Sequence, residues 1–138
     1  MRNPTGQPSE NVDYLRADDV LTAARAACGF EVAVGEPAQF AANIARPTAT
    51  AFGQDAYPGV WTKAAALLHS FATTQCLVDG NKRTSWASAW LMLRINGAVG
   101  VLTASPLRVD EAEQLVLDAA AGGVAVTDLA DRLRRIAR

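Results

Sequence analysis

The sequence has little of what metal centres, disulfide scaffolds and membrane anchors require. It contains one histidine and two cysteines in 138 residues, and Cys28 and Cys76 are too far apart in sequence for a structural zinc site. A reduced, cytoplasmic setting is therefore expected. No apolar run reaches the ~20 residues of a bilayer-spanning helix, and the first residues lack the apolar core of a signal peptide. We expect no membrane partner.

An excess of one charge and a large aromatic content are missing too. The chain has 13 basic and 14 acidic residues, a formal net charge of -1, so no overall field attracts nucleic acid and direct nucleic-acid binding is not expected. Half of the residues are hydrophobic but only 7% are aromatic, which favours small side chains at close helix contacts. We predict an all-α, single-domain helical bundle at 14–138 that follows a flexible tail at 1–13.

Proline, glycine and capping residues mark the ends of six predicted helices. The predicted boundaries are Asp18 to Gly29, Pro37 to Arg46, Trp61 to Thr74, the end of the loop 75–81 to Asn96, Ser105 to Gly122, and Thr127 onward. The third of these segments is apolar on nearly every side, so we place it at the centre of the bundle. Residues 48–60 contain turn-forming glycine and proline and are predicted to be a long connection.

The turn Asp79-Gly80-Asn81 carries the clearest chemical signal because it leads directly into a helix. The first amides of a helix lack partners and lie at its positive end, so such a turn can hold an anion. Lys82 and Arg83 oppose the dipole there, which makes sense if they bind phosphate and if Asp79 holds Mg²⁺. The alternative is an ordinary turn followed by two solvated cations, and local chemistry alone leaves both interpretations open.

The segment "LLHSFATTQCLVDGNKRTSWASAWLMLRING" at 67–97 resembles the signature of the Fic/Doc (Fido) superfamily, in its death-on-curing (Doc-like) branch of type II toxin-antitoxin toxins. That signature is H-x-F-x-D-x-N-K-R, placed after one helix and at the start of the next. Further similarity lies in "YLRADDVL" near the start and in "NGAVG" after the motif. The resemblance implies an all-α Fido fold whose members transfer part of a nucleoside triphosphate to a protein hydroxyl.

Position by position, the resemblance implies that Asp79 binds the metal and that the phosphate ligands are Gly80, Asn81, Lys82 and Arg83. A lysine at position 82, where many Fic proteins have glycine, is typical of the Doc branch. That branch is implicated in phosphoryl transfer to a translation elongation factor, and adenylyl transfer is less expected here. The implied cofactors are Mg²⁺ and ATP. The implied partners are a Phd-like antitoxin and a target protein of the translation machinery.

Gln75 stands where the family has its catalytic histidine, the general base that takes the proton of the target hydroxyl. A carboxamide has no useful basicity, and loss of a general base typically costs about 10²- to 10⁴-fold in rate. Our leading hypothesis is therefore a Doc-like toxin with impaired transfer. One alternative is a catalytically silent relative that acts as a nucleotide- or protein-binding module. Another is a helical interaction protein that keeps the turn only for folding.

The other reactive or aromatic side chains near the motif are predicted to be structural. His69 lies six residues before Gln75, about 120° round the helix and ~9 Å along it, so it cannot replace the missing base. We expect it to be hydrogen-bonded between helices. Cys76 is predicted to be a small buried residue, and Trp86 and Trp90 to belong to the core.

Overall fold

All six predicted helices are present in a computed structural model, which describes residues 11–100 and 106–137. They are α1 (Ala17–Cys28), α2 (Pro37–Ala45), α3 (Val60–Thr73), α4 (Asn81–Ile95), α5 (Pro106–Ala121) and α6 (Val126–Ile136). Between α2 and α3 lie a 3-10 helix (Arg46–Thr48) and a two-stranded antiparallel hairpin, β1 (Thr50–Ala51) and β2 (Gln54–Asp55). The prediction of an all-α fold is confirmed.

Helix α3 lies at the centre of the bundle, as predicted. It packs against α4, α5, α6 and the 3-10 helix, while α1 packs on α4. Leu67, Leu68 and Phe71 are buried in the common core. A helix that is apolar on nearly every side is stable only when neighbours surround it, and this central place supplies them.

The helix ends follow the glycine signals closely. Gly29, Gly97 and Gly122 follow α1, α4 and α5 with φ angles of 80°, 73° and 85°, the left-handed conformation typical of helix stops. The predicted cap at Ser105 lies outside the described residues. The predicted cap at Thr127 is wrong, because α6 begins one residue earlier, at Val126.

The early start of α6 has a packing reason. Ala125 is the N-cap residue, in extended conformation and without a side-chain cap. Val124 and Val126 on either side of it pack against the core. Packing of these two partly buried side chains accounts for the start of α6, in place of the hydroxyl cap predicted from sequence.

The hairpin lies within residues 48–60, which were predicted to be a long connection. Each of its strands is only two residues long. Phe52 and Gly53 at the turn both have positive φ, 54° and 77°, as in the tight turns that join antiparallel strands. The hairpin is tied to α3 by Lys63, whose fully buried ammonium lies 3.2 Å from Asp55 Oδ2 and donates to the carbonyl of Pro47 at 3.1 Å. A charged group from α3 thus fixes both the 3-10 helix and the hairpin.

The N-terminal segment is joined to the end of α4. The backbone N–H of Asp13 donates to Asn96 Oδ1 at 2.8 Å, and Asn96 Nδ2 donates back to the carbonyl of Asp13 at 2.9 Å. The division into a tail at 1–13 and a domain at 14–138 stays a prediction. Across 11–100 and 106–137, every helix is too short or too polar to cross a membrane.

Candidate nucleotide-binding site

The loop between α3 and α4 is held by a neighbouring segment that runs antiparallel to it. The N–H groups of Gly35 and Glu36 both donate to the carbonyl of Cys76, at 2.9 and 3.0 Å, and the N–H of Val78 donates to Ala33 at 2.9 Å. These bonds pair the loop with the chain between α1 and α2. The loop therefore has a fixed backbone rather than a free path between two helices.

Asn43 of α2 holds the two residues that flank position 75. Its side chain is only 2% exposed, and its Nδ2 donates to Thr74 Oγ1 at 2.8 Å and to Cys76 Sγ at 3.5 Å. Its Oδ1 accepts from Gln39 Nε2 at 2.9 Å. Asn43 was not singled out from the sequence, where its one signal is an amide among the apolar residues of a short helix.

Asn81, the first residue of α4, closes the loop from the other side. Its side chain is 8% exposed, and it pairs with both backbone groups of Leu77: Oδ1 accepts from the N–H at 3.0 Å and Nδ2 donates to the carbonyl at 2.9 Å. The same Nδ2 donates to Gln75 Oε1 at 3.2 Å. Asn81 thus shapes the loop and orients the side chain at position 75. Contact of Asn81 with phosphate stays a prediction.

Gly80 must be glycine for two separate reasons. Its φ of 88° is left-handed, and a Cβ atom placed there would lie 2.7 Å from the sulfur of Cys28. The start of α4 therefore rests directly on the end of α1. The side of Gly80 where a side chain would lie faces Cys28, so glycine here allows close packing of α4 on α1.

The first turn of α4 combines open amides with two cations. Thr84 is the first residue with an intrahelical acceptor, the carbonyl of Gly80 at 2.9 Å, so the N–H groups of Asn81, Lys82 and Arg83 have none within the helix. The side chains of Lys82 and Arg83 are exposed, and neither forms an ion pair with any residue that the structure describes. Positive charge is thus concentrated at the positive end of a helix.

Asp79 presents its carboxylate beside this turn. One oxygen, Oδ1, accepts from the N–H of Gly80 at 2.8 Å, and the side chain is exposed. Within 11–100 and 106–137, no group of three or more histidine, cysteine or acidic side chains could hold a metal ion. One free carboxylate oxygen fits Mg²⁺, which is commonly held by one or two carboxylates together with phosphates and water.

His69 and Cys76 have the structural roles predicted for them. Nδ1 of His69 lies 2.7 Å from Arg46 Nη1, between α3 and the 3-10 helix. Burial, and then the neighbouring guanidinium of Arg46, lower the pKa of His69 below its usual 6.5. Cys76 is completely buried, and desolvation raises the pKa of its thiol although hydrogen bonds from Thr74 and Asn43 oppose that rise. Neither side chain supplies a base at position 75.

Trp86 and Trp90 have a position that the core prediction describes only in part. Their rings stack at 5.4 Å between centroids and pack against the core on one side. On the other side they line a mainly apolar groove of about 490 Å³ between α1, α4 and α5. Lys82 and Arg83 line the same groove. An open apolar surface therefore adjoins the cationic turn.

The comparison with known families agrees with this architecture. The model of the Fic/DOC family matches residues 14–93, which include the whole loop and the start of α4. The chain belongs to the Fic/DOC family, and the predicted resemblance to it is confirmed.

Within that family the chain is Doc-like. It is 51% identical over 108 residues to a protein named Toxin Doc from Mycolicibacterium smegmatis, and the alignment covers 78% of this chain and 81% of that relative. The roles of the individual residues from Gln75 to Arg83 stay predictions, and the structure brings these residues together around one helix start.

Proposed function

We propose that this chain is a cytoplasmic Doc-type toxin whose site binds the phosphates of ATP with Mg²⁺. Its transfer of a phosphoryl group, or less favourably an adenylyl group, to a hydroxyl of a translation-associated protein is impaired by Gln75. One observation carries the proposal. Lys82 and Arg83 lie exposed and, among the described residues, without ion pairs at a helix start whose amides are open. Two such cations are unfavourable there unless an anion binds between them.

Each residue of the turn has a separate task in this proposal. Arg83 grips phosphate oxygens with its planar fork, and Lys82 supplies a compact charge. Gly80 lets the backbone amides come close to the phosphates. Asp79 would hold the magnesium ion, which neutralises phosphate charge when bound.

Gln75 weakens the transfer step itself. The hydroxyl oxygen of the target forms a bond to the γ-phosphorus, the bond from that phosphorus to the ADP oxygen breaks, and the hydroxyl proton must leave. A carboxamide cannot take this proton, so it passes to water or to the phosphate itself. Phosphoryl transfer with a loose transition state depends more on positioning than on a base, so a low residual rate is expected.

The second candidate function is a catalytically silent relative that binds nucleotide without transferring any part of it. The hydrogen bond from Asn81 to Gln75 favours it, because it holds at the position of the base a carboxamide, which accepts hydrogen bonds but takes no proton. The two candidates share the same phosphate site. They differ only in whether a target protein is modified.

A Phd-like antitoxin is the proposed partner. The groove beside Trp86 and Trp90 is mainly apolar and includes the half-exposed side chains of Val109 and Leu117 from α5. Its charged lining residues are the basic Lys82 and Arg83 and the acidic Glu113. These features suit an amphipathic helix with an acidic residue near Lys82 and Arg83. Replacing Leu117 with glutamate should prevent co-purification with the antitoxin and leave nucleotide binding unchanged.

Nucleotide binding is tested by calorimetric titration of the chain with ATP and Mg²⁺. Arg83→Ala should abolish binding, because it removes the bidentate phosphate ligand. Arg94→Ala is the matched control: Arg94 is exposed in the last turn of the same helix and should not matter. If the unaltered chain binds no ATP in the presence of Mg²⁺, the proposed phosphate site is wrong.

Transfer is tested separately, with the histidine variant Gln75→His beside the unaltered chain. Growth arrest and labelling of a protein from γ-labelled ATP by the histidine form alone would support an impaired toxin. Labelling from α-labelled ATP would indicate adenylyl transfer. If neither form arrests growth or labels any protein while ATP still binds, the silent binding module is correct.

A further inference from the structure

The side-chain amide of Gln75 has a defined orientation. Oδ1 of Asn81 accepts from the N–H of Leu77, so the other terminal atom of Asn81 is the nitrogen, and it points at Gln75 across 3.2 Å. An amide nitrogen only donates, so the Gln75 atom that faces it must be the oxygen. The Nε2 atom of Gln75 therefore faces away from Asn81.

This nitrogen is free to donate. Gln75 is exposed, and its Nε2 donates no hydrogen bond to any residue that the structure describes. The position of residue 75 is fixed as well, because Asn43 holds the side chains of Thr74 and Cys76 on either side of it. Two N–H groups are thus held in place at the protein surface.

The side chain of Gln75 lies next to the residue that begins α4. Asn81, which contacts the Gln75 side chain, is also the first residue of α4, where the backbone amides and the two cations meet. A phosphate chain bound at that helix start would be a negatively charged hydrogen-bond acceptor close to the unpaired N–H groups of Gln75. Hydrogen bonds to charged groups are the stronger ones in proteins.

We propose that Gln75 is a phosphate ligand: its Nε2 donates to an oxygen of the bound triphosphate. The inference rests on the proposed function, since it requires nucleotide at the start of α4. Position 75, where the family has its general base, is then part of the nucleotide-binding site. The residue then stabilises bound nucleotide instead of removing a proton, which favours holding the nucleotide over transferring it.

The test is calorimetric titration with ATP and Mg²⁺, and with tripolyphosphate, of four chains: unaltered, Gln75→Glu, Gln75→Ala and Gln75→His. The glutamate variant is the sharpest, because it keeps an oxygen for Asn81 but removes the donor and adds negative charge. Loss of a hydrogen bond to a charged group should weaken both ligands about 10-fold or more in the alanine variant. The glutamate variant should bind more weakly still.

The histidine variant adds a dependence on pH. An imidazolium can donate to phosphate and a neutral ring does so less well, so its affinity should fall more than that of the unaltered chain from pH 5.5 to pH 8. The ratio of the two chains at each pH removes the titration of the ligand itself.

Thr73→Ala is the control, because Thr73 is an exposed neighbour whose hydroxyl bonds within its own helix, to the carbonyl of His69. It should bind like the unaltered chain, and thermal unfolding confirms that each variant is folded. Equal affinity of the unaltered, alanine and glutamate chains would overturn the inference and leave the phosphate site intact. No binding by the unaltered chain would overturn both.

Discussion

Arg46 donates from Nη1 to Nδ1 of His69 across 2.7 Å. Arginine stays protonated throughout the physiological range, so Nδ1 must be the acceptor and the ring proton lies on Nε2. The same guanidinium donates to Tyr57 Oη at 2.8 Å and to Ser70 Oγ at 2.9 Å. One cation therefore joins the 3-10 helix, the segment that follows the hairpin, and α3, and it favours the neutral form of His69.

The stability of the fold should fall as pH decreases below about 6.5. Burial and Arg46 lower the pKa of His69 in the folded chain, so the unfolded chain takes up the proton first and gains stability from it. The full contribution is present above the unfolded pKa and is lost as pH falls towards the folded one, by at most about 1.36 kcal/mol per pH unit. Urea unfolding between pH 7.5 and 5.5 measures this slope.

His69 is the only histidine in the sequence, so His69→Asn gives a clean control. The asparagine oxygen can still accept from Arg46 but does not titrate. The variant should lose most of the slope in this pH range. An unchanged slope would show that other groups cause it.

Replacing Lys63 with methionine should cost about 3–5 kcal/mol of unfolding free energy, because it leaves the carboxylate of Asp55 buried and unpaired. That carboxylate is only 14% exposed, and its Oδ1 has no partner. The double variant with Asp55→Asn should be less destabilised than Lys63→Met alone. Chemical denaturation of both, with a double-mutant cycle, measures the coupling.

Arg25 offers a matched exposed ion pair, with Glu31 at 3.2 Å and side chains 69% and 79% exposed. Arg25→Ala should change stability by less than about 1 kcal/mol. Equal losses of unfolding free energy in the Lys63 and Arg25 variants would contradict the role given to the buried ion pair of Lys63 and Asp55.

Helix ends and the motif could be predicted because their signals are local. Gly29, Pro37 and Gly97 each act through their own backbone conformation, and the turn with Gly80 carries its chemistry within a few residues. Asn43 gave no such signal: its partners Thr74 and Cys76 are 31 and 33 residues away. Only the packing of α2 beside the loop brings them together.

Contacts between residues far apart in sequence also explain why the surroundings of Lys63, Trp86 and Trp90 could not be predicted in full. Lys63 has no local sign of burial, because its partner Asp55 lies on a hairpin too short to show alternation. The spacing of Trp86 and Trp90 predicts one helix face but not how much of that face α1 and α5 cover. Their groove depends on the distance between three helices.

Gly80→Ala should destabilise the protein through both strain and a clash. Its φ is 88°, and the added Cβ would lie 2.7 Å from the sulfur of Cys28. We expect a loss of about 2–4 kcal/mol, as strain at left-handed φ and overpacking add. The double variant with Cys28→Ala should recover part of it. Gly97 has a φ of 73° and open space around it, so Gly97→Ala should show only the smaller loss of unfolding free energy that the positive φ causes. Equal losses at the two glycines would rule out the clash with Cys28.

Asn43→Ala should loosen the loop at position 75 while leaving the phosphate site in place. The variant removes the donor to Thr74 and Cys76 and the acceptor of Gln39, which should cost about 1–3 kcal/mol because buried polar groups lose their partners. Amide hydrogen exchange should rise at 74–78 and stay unchanged in the first turn of α4, whose Asn81 bonds do not involve Asn43.

Gln39→Ala is the control for Asn43→Ala, since it breaks only the bond on the far side of Asn43 from the loop. It should leave exchange at 74–78 unchanged.

ATP affinity separates two accounts of the loop. If Gln75 binds phosphate, Asn43→Ala should weaken ATP binding less than Gln75→Glu does, because Asn81 still holds the amide of Gln75. A loss of ATP affinity as large as that of Arg83→Ala would mean that Asn43 supports the whole phosphate site and not position 75 alone.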